Sequence, residues 1–69
     1  MNAIQRRVNH IQQVTGEPSL TLAGVMKYLN VKSKDTAMVF LSDVLSFGKG
    51  SGKRWDIFSF AEKYERKLG

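Results

Sequence analysis

The stretch FGKGSGKRW, Phe47 to Trp55, is the most unusual part of this 69-residue chain. Three of the six glycines lie in it, interleaved with basic residues, and the chain's only tryptophan closes it. Glycines that flank a lysine and a serine do not favour a helix, but they suit a tight turn between two strands. Because the flanking segments LSF and KRW are short, such a ribbon has to pack against the rest of the domain. Residues 47–55 therefore predict a small β-hairpin with a basic tip.

The basic residues of this stretch belong to an uneven charge distribution. The net charge is +5, and the excess lies in two segments without acids, residues 1–16 and residues 47–55. A localised cationic excess is what a polyanion-binding surface requires, whereas a charge that only promotes solubility is the alternative. Composition leaves both interpretations open.

Composition also excludes several kinds of site. The chain has no cysteine and one histidine, so it offers no disulfide, no cysteine-ligated zinc site and no multi-histidine metal site. Its scattered carboxylates assemble no nucleophile–base pair, so we expect no enzyme activity, no cofactor and no small-molecule substrate. The segment GKGSGK lacks the spacing of a nucleotide-binding P-loop and the parallel strand that precedes one.

Membrane and secretion signals are not evident. The longest apolar run, AMVFL, is far shorter than the roughly 20 residues of a membrane helix. The N-terminal sequence MNAIQRRVNHIQQ has no apolar run of the signal-peptide kind. We therefore expect a cytoplasmic protein without a membrane partner, associated with the nucleoid if its charge binds DNA.

Three helices are predicted before the hairpin. Residues 1–16 form an amphipathic helix that ends at Gly16. Thr21 caps the second helix, and Asn30 can take the left-handed conformation that ends it. Ser33 caps the third, which the apolar pattern extends to the start of the hairpin. The predicted apolar positions are Ile4, Val8, Ile11, Val14, Leu22, Val25, Met26, Leu29, Ala37, Phe40, Leu41, Val44 and Leu45.

The second and third helices are joined by a very short turn. Such a pair is typical of a helix-turn-helix, here over residues 20–46, and an ordinary helical hairpin in a small bundle is the alternative. On the third helix the pattern leaves five residues pointing away from the core, namely Asp35, Met38, Val39, Ser42 and Ser46.

A fourth helix follows the hairpin over residues 56–68. Asp56 is placed to cap it, and Trp55 is expected to anchor the ribbon to the core, although stacking on a base is the alternative. Its predicted apolar face consists of Ile57, Phe60, Ala61, Tyr64 and Leu68. The fold class is therefore mostly α with a small β-hairpin, in the order of a winged helix-turn-helix. Residues 1–69 form a single domain.

Two segments carry a resemblance to a known family. TLAGVMKYLNVKSKDT resembles the opening of MerR-type and excisionase-type winged-helix domains, with Thr21, Leu29, Asn30, Val31, Ser33 and Thr36 at the matching positions. GKRWDIFSFAEKY is similar to the second half of these domains, in which a basic wing strand runs into an aspartate-capped helix. The match covers about residues 20–67. The resemblance implies a small double-stranded DNA-binding protein.

The resemblance also implies how each part would meet DNA. The helix that starts at Ser33 would lie in a major groove, and the hairpin would act as a wing that reaches an adjacent minor groove. The implied wing contacts are Lys49, Gly50, Ser51, Gly52, Lys53 and Arg54. The implied contacts of the recognition helix and its turn are Lys32, Ser33, Lys34, Met38 and Ser42. Arg6, Arg7 and Lys27 are further candidates for phosphate contacts, with coverage of the core as the alternative for the first helix.

Several roles remain open within this family. Excisionase-type proteins are recombination directionality factors that bind side by side, bend DNA and contact an integrase, whereas related domains act as small transcriptional repressors. Between Lys32 and Ser46 the chain has none of the arginine, asparagine or glutamine side chains that usually read bases, so we expect modest direct readout. A different class of function is a protein-interaction module without DNA binding, in which Met38, Val39 and Phe58 dock a partner.

Overall fold

Four α-helices and one two-stranded antiparallel sheet make up the described part of the chain. The structure is a computed structural model that describes residues 2–17 and 19–68, without the side chains of Ser51 and Leu68. Its elements are α1 (Ala3–Thr15), α2 (Leu22–Leu29), α3 (Lys34–Phe40), β1 (Ser46–Phe47), β2 (Arg54–Trp55) and α4 (Ile57–Leu68). The prediction of a mostly helical fold with one small hairpin is confirmed.

Side-chain caps fix the start of α2 and α3. Thr21 Oγ1 accepts a hydrogen bond from the backbone N–H of Gly24 at 3.0 Å. Asn30 ends α2 in the left-handed region, at φ 57°. Ser33 Oγ then accepts from the N–H of Thr36 at 3.4 Å, so the turn between α2 and α3 is as short as predicted. These caps satisfy backbone groups that helix ends otherwise leave without partners.

The third helix is shorter than the apolar pattern predicted. It ends at Phe40, one turn of 3₁₀ helix covers residues 41–43, and Val44 is already extended, with ψ 134°. The Lys63 ammonium on α4 donates hydrogen bonds to the Phe40 carbonyl and to the Asp43 carboxylate. Because this cation satisfies a carbonyl at the end of α3, the helix can stop while Val44 still packs in the core.

Leu45 is exposed, which corrects the prediction that it lies on the buried face. Its side chain is 64% accessible, whereas Val44 is 6% accessible. In an extended backbone successive side chains point to opposite sides, so a buried Val44 turns Leu45 outward. The Leu45 carbonyl accepts from Asp56 N–H at 2.9 Å and so continues the hairpin ladder by one residue.

The hairpin is tied to the helical body by its second strand. Ser46 pairs with Trp55, and Phe47 pairs with Arg54, in an antiparallel register. Trp55 also exchanges two backbone hydrogen bonds with Leu20, at 2.8 and 3.2 Å. The backbone of Trp55 is therefore held on both sides, and its side chain is 4% exposed. The prediction that Trp55 anchors the ribbon to the core is confirmed.

The core draws on every helix and on the segments between them. α1 packs mainly against α4, and α2 packs against α3 and α1. Asp56 Oδ2 accepts from Ser59 N–H at 2.9 Å and caps α4, as predicted. The predicted core position Leu68 has a side chain outside the described set. The buried apolar side chains are Val8, Ile11, Leu20, Val25, Ala37, Leu41, Val44, Trp55, Phe60 and Ala61. Within the described residues, no helix is both long and apolar enough to cross a membrane.

Candidate nucleic-acid interface

Left-handed glycines shape the tip of the hairpin. Gly48 has φ 82° and Gly50 has φ 58°. Residues 50–52 form one 3₁₀ turn, in which Gly52 N–H donates to the Lys49 carbonyl at 3.0 Å and Lys53 N–H donates to the Gly50 carbonyl at 3.1 Å. The tip is thus a hydrogen-bonded turn of defined shape, and Lys49 and Lys53 lie at its two ends.

We expect Gly48→Ala to lower the free energy of unfolding by about 1–3 kcal/mol, because it combines a left-handed backbone with a steric clash. A Cβ at Gly48 would lie 2.6 Å from the backbone oxygen of Gly52. Urea denaturation followed by Trp55 fluorescence measures the loss.

Gly52→Ala is the matched control within the same turn. A Cβ there meets no atom within 4 Å, and Gly52 is not one of the glycines with positive φ. It should change stability by no more than about 0.5 kcal/mol. Equal stability of the two variants would show that the tip does not depend on the conformation of Gly48.

A groove joins the hairpin to the start of the second and third helices. It encloses about 500 Å³. Its lining residues are Thr21, Leu22, Ala23, Lys34, Met38, Gly50, Lys53 and Trp55. Residues that the sequence assigned to two separate DNA-contacting parts, α3 and the hairpin tip, therefore line one concave surface.

The groove and its surroundings carry cations without acidic partners. Lys53 Nζ lies 5.4 Å from the centre of the Trp55 ring, which orients this ammonium by a cation–π contact. Within the described residues no carboxylate pairs with the lysines of the α2–α3 turn, of the α3 start or of the hairpin tip. These lysines are Lys32, Lys34, Lys49 and Lys53. Their charge is available to an anionic ligand.

Other cations are engaged within the fold. Arg7 Nε donates to Glu65 at 2.9 Å and Arg7 Nη1 donates to the Tyr28 hydroxyl at 2.8 Å. These hydrogen bonds, first to Tyr28 and then to Glu65, raise the pKa of Arg7 above its ordinary value. Lys63 holds Asp43 and lowers the pKa of that carboxyl. These pairs attach α1 and the 3₁₀ turn to α4.

Arg54 has an acidic partner, which the sequence did not indicate. Its Nη1 lies 3.1 Å from Glu17 Oε2, and both side chains are about half exposed. In the strand, Arg54 also faces away from the side of Trp55 that lines the groove. A phosphate contact by Arg54 would therefore compete with Glu17, which sets it apart from Lys53.

Among the described side chains, the remaining predicted contacts do not line the groove. Arg6 and Arg7 line a separate depression between α1 and α4 with His10. Lys27 and Ser42 are exposed on α2 and on the 3₁₀ turn, and Ser33 is engaged as the cap of α3. The Ser51 side chain is outside the described set. All of these DNA contacts stay predictions.

The groove also includes residues that sequence reasoning missed. Thr21, Leu22 and Ala23, the first turn of α2, form one of its walls. Thr21 could be recognised as a cap, but no local signal places the start of α2 beside the hairpin. That placement comes from the backbone pairing of Leu20 with Trp55.

Neither metal ligands nor known relatives add to this geometry. In the described ranges, no three His, Asp or Glu side chains come together as a possible metal site. No protein-family model, curated protein or solved structure matches the chain.

Proposed function

We propose that the protein binds double-stranded DNA as a winged helix-turn-helix. In this proposal α3 enters the major groove, and the hairpin of residues 47–55 is the wing that contacts the backbone and the adjacent minor groove. One observation carries it: Lys34 and Met38 of α3 line the same groove as Gly50 and Lys53 of the hairpin. A single duplex can then touch both parts at once.

The dimensions of α3 fit this role. It is a regular α-helix, whose diameter with side chains is about 10–12 Å, and the major groove of B-DNA is about 12 Å wide. Recognition helices contact base edges mainly through their N-terminal residues. The short α3, capped by Ser33, presents those residues next to the wing.

Phosphate neutralisation supplies most of the affinity in this proposal. Two of the lysines without acidic partners, Lys34 and Lys53, line the groove, whereas α3 carries few hydrogen-bonding side chains that distinguish base pairs. Specificity beyond direct contacts would come from DNA shape, from adjacent copies or from a partner protein.

The test is a salt titration of binding to a fluorescein-labelled duplex of mixed sequence, read by fluorescence anisotropy. With about five phosphate contacts, the logarithm of the association constant should fall with the logarithm of salt concentration at a slope of about −4 to −5. We expect a micromolar Kd at about 50 mM salt. The same sequence as a single strand is the control and should bind more weakly, because α3 would have no major groove to enter.

No binding at low salt, or a Kd that does not depend on salt, would overturn the proposal. It would favour the alternative class, a protein-interaction module that uses the exposed Met38, Val39 and Phe58. In that class of protein the basic residues promote solubility and bind no polyanion.

The resemblance to excisionase-type domains extends the proposal to a role in recombination. The protein would act as a directionality factor beside an integrase and adjacent copies of itself, and a small transcriptional repressor of the same fold is the second candidate. An integrase gene next to the gene for this protein would favour excision. DNA binding itself is common to both roles, so the salt titration applies to either.

A further inference from the structure

The outward face of α3 exposes two apolar side chains, where a DNA reader is usually polar. Val39 is 73% exposed and Met38 is 40% exposed, although both are large apolar side chains. Met38 lines the groove beside Lys34, which precedes it by one helical turn. Val39 follows Asp35 by one turn, so these two residues share the face that points away from the core.

The major groove offers few apolar features. Each base pair presents hydrogen-bond donors and acceptors there, and the C5-methyl group of thymine is the apolar exception. Between Lys32 and Ser46 the chain has no arginine, asparagine or glutamine that could make the usual bidentate contacts. Apolar contact is therefore one of the ways left for α3 to distinguish base pairs, beside hydrogen bonds made by Lys34 and Asp35.

We propose that Met38 and Val39 read thymine by packing against its C5-methyl group. This inference rests on the proposed DNA-binding function and deepens it, because it names the feature of the duplex that α3 recognises.

The distribution of charge favours DNA over an apolar protein as the ligand of these side chains. Lys34 and Lys53 lie in the groove beside Met38, without a described acidic partner, so their long side chains can reach phosphates at the edge of the major groove while Met38 contacts a base. The exposed Asp35 lies on the outward face with Val39, so in the groove it meets base edges. Cytosine and adenine present amino donors there that a carboxylate can accept from. Cationic side chains that reach phosphates, next to an acidic and an apolar side chain that face the bases, are what a helix in a major groove requires.

The experiment compares duplexes that differ only in the methyl group. The first pair is an alternating A·T duplex of about two helical turns and its counterpart with uracil in place of thymine. The second pair is an alternating G·C duplex with cytosine or with 5-methylcytosine. Each methyl removed from water by a side chain should contribute about fourfold in affinity, so two contacts give about fifteenfold. We expect tighter binding to the methylated member of both pairs, because any effect of uracil on duplex flexibility is absent from the second pair.

Substitutions assign the preference to the two side chains. Met38→Ala combined with Val39→Ala should reduce the ratio of the two affinities in each pair to about one, while the salt slope, which reports phosphate contacts, stays near that of wild type. Val39→Thr keeps the shape of the side chain and should reduce the logarithm of this affinity ratio to about half of its wild-type value. Leu45→Ala removes an exposed apolar side chain outside α3, so it is the control and should keep the wild-type ratio.

The outcomes separate this inference from the function on which it rests. Equal affinity of wild type for methylated and unmethylated duplexes, together with a steep salt dependence, overturns methyl readout and leaves DNA binding standing. A methyl preference that survives the double substitution overturns the assignment to Met38 and Val39. Failure to bind any of the four duplexes overturns DNA binding, and methyl readout with it.

Discussion

Trp55→Ala should lower the free energy of unfolding by about 3–5 kcal/mol, which is close to the whole stability expected of so small a domain. The side chain is 4% exposed, and its loss would leave a cavity where the hairpin meets the helices. Its backbone bonds to Leu20 and its pairing with Ser46 join the start of α2 to the hairpin, so a cavity there weakens several contacts at once. We expect the variant to be largely unfolded at room temperature.

Urea denaturation followed by far-ultraviolet circular dichroism measures this loss. Fluorescence is unsuitable because the substitution removes the only tryptophan. Trp55→Phe should fall between wild type and Trp55→Ala, since it keeps part of the apolar volume. Phe47→Ala is the matched control on the neighbouring strand, where the aromatic side chain is 50% exposed, and it should cost less than about 1 kcal/mol. A Trp55→Ala protein as stable as the Phe47→Ala protein would mean that Trp55 does not anchor the hairpin.

Local signals in the sequence predicted the elements of this fold well. The caps Thr21, Ser33 and Asp56 each satisfy backbone N–H groups of the helix that follows, so side-chain chemistry alone locates those helix starts. Glycines interleaved with polar residues located the hairpin, because few other structures tolerate that composition.

Long-range contacts account for what the sequence could not predict. The helical pattern of KDTAMVFLSDVLS continues through Val44, yet α3 ends at Phe40 beside the ammonium of Lys63, which lies 23 residues further along the chain. Glu17 and Arg54 are 37 residues apart, and nothing near either residue indicates that they pair. Contacts of this kind follow from packing and not from periodicity.

The candidate site also combines features that the sequence predicts with features that depend on long-range contacts. Lys34 and Met38 could be identified individually as residues on the outer side of a helix, and Lys53 as part of a basic turn. Their meeting in one groove depends on the pairing of Leu20 with Trp55, which brings the start of α2 to the hairpin. These three residues were thus predictable, whereas the common surface that they form with the start of α2 was not.

The two groove lysines give the sharpest test of where DNA would lie. We expect Lys34→Ala combined with Lys53→Ala to flatten the salt slope by about two units, because each phosphate contact contributes about 0.9. If both proteins bind equally well at 1 M salt, this difference in slope makes the binding of the variant at about 50 mM salt about two hundredfold weaker than that of wild type. Anisotropy titrations of the mixed-sequence duplex at several salt concentrations measure both quantities, and circular dichroism checks that the variant remains folded.

The matched control removes the same charge elsewhere. Arg66→Ala combined with Lys67→Ala takes two cations from the last turn of α4, outside the groove, so it changes the net charge equally. If binding responded only to net charge, both double variants would lose affinity alike and flatten the slope alike. If the groove holds the DNA backbone, the α4 variant keeps a salt slope near that of wild type.

Lys34→Arg combined with Lys53→Arg is a second control and should also keep the wild-type salt slope, because a guanidinium contacts phosphate as well as an ammonium does. Equal loss from both alanine variants would therefore contradict the placement of DNA in this groove, even with strong binding by the wild-type protein.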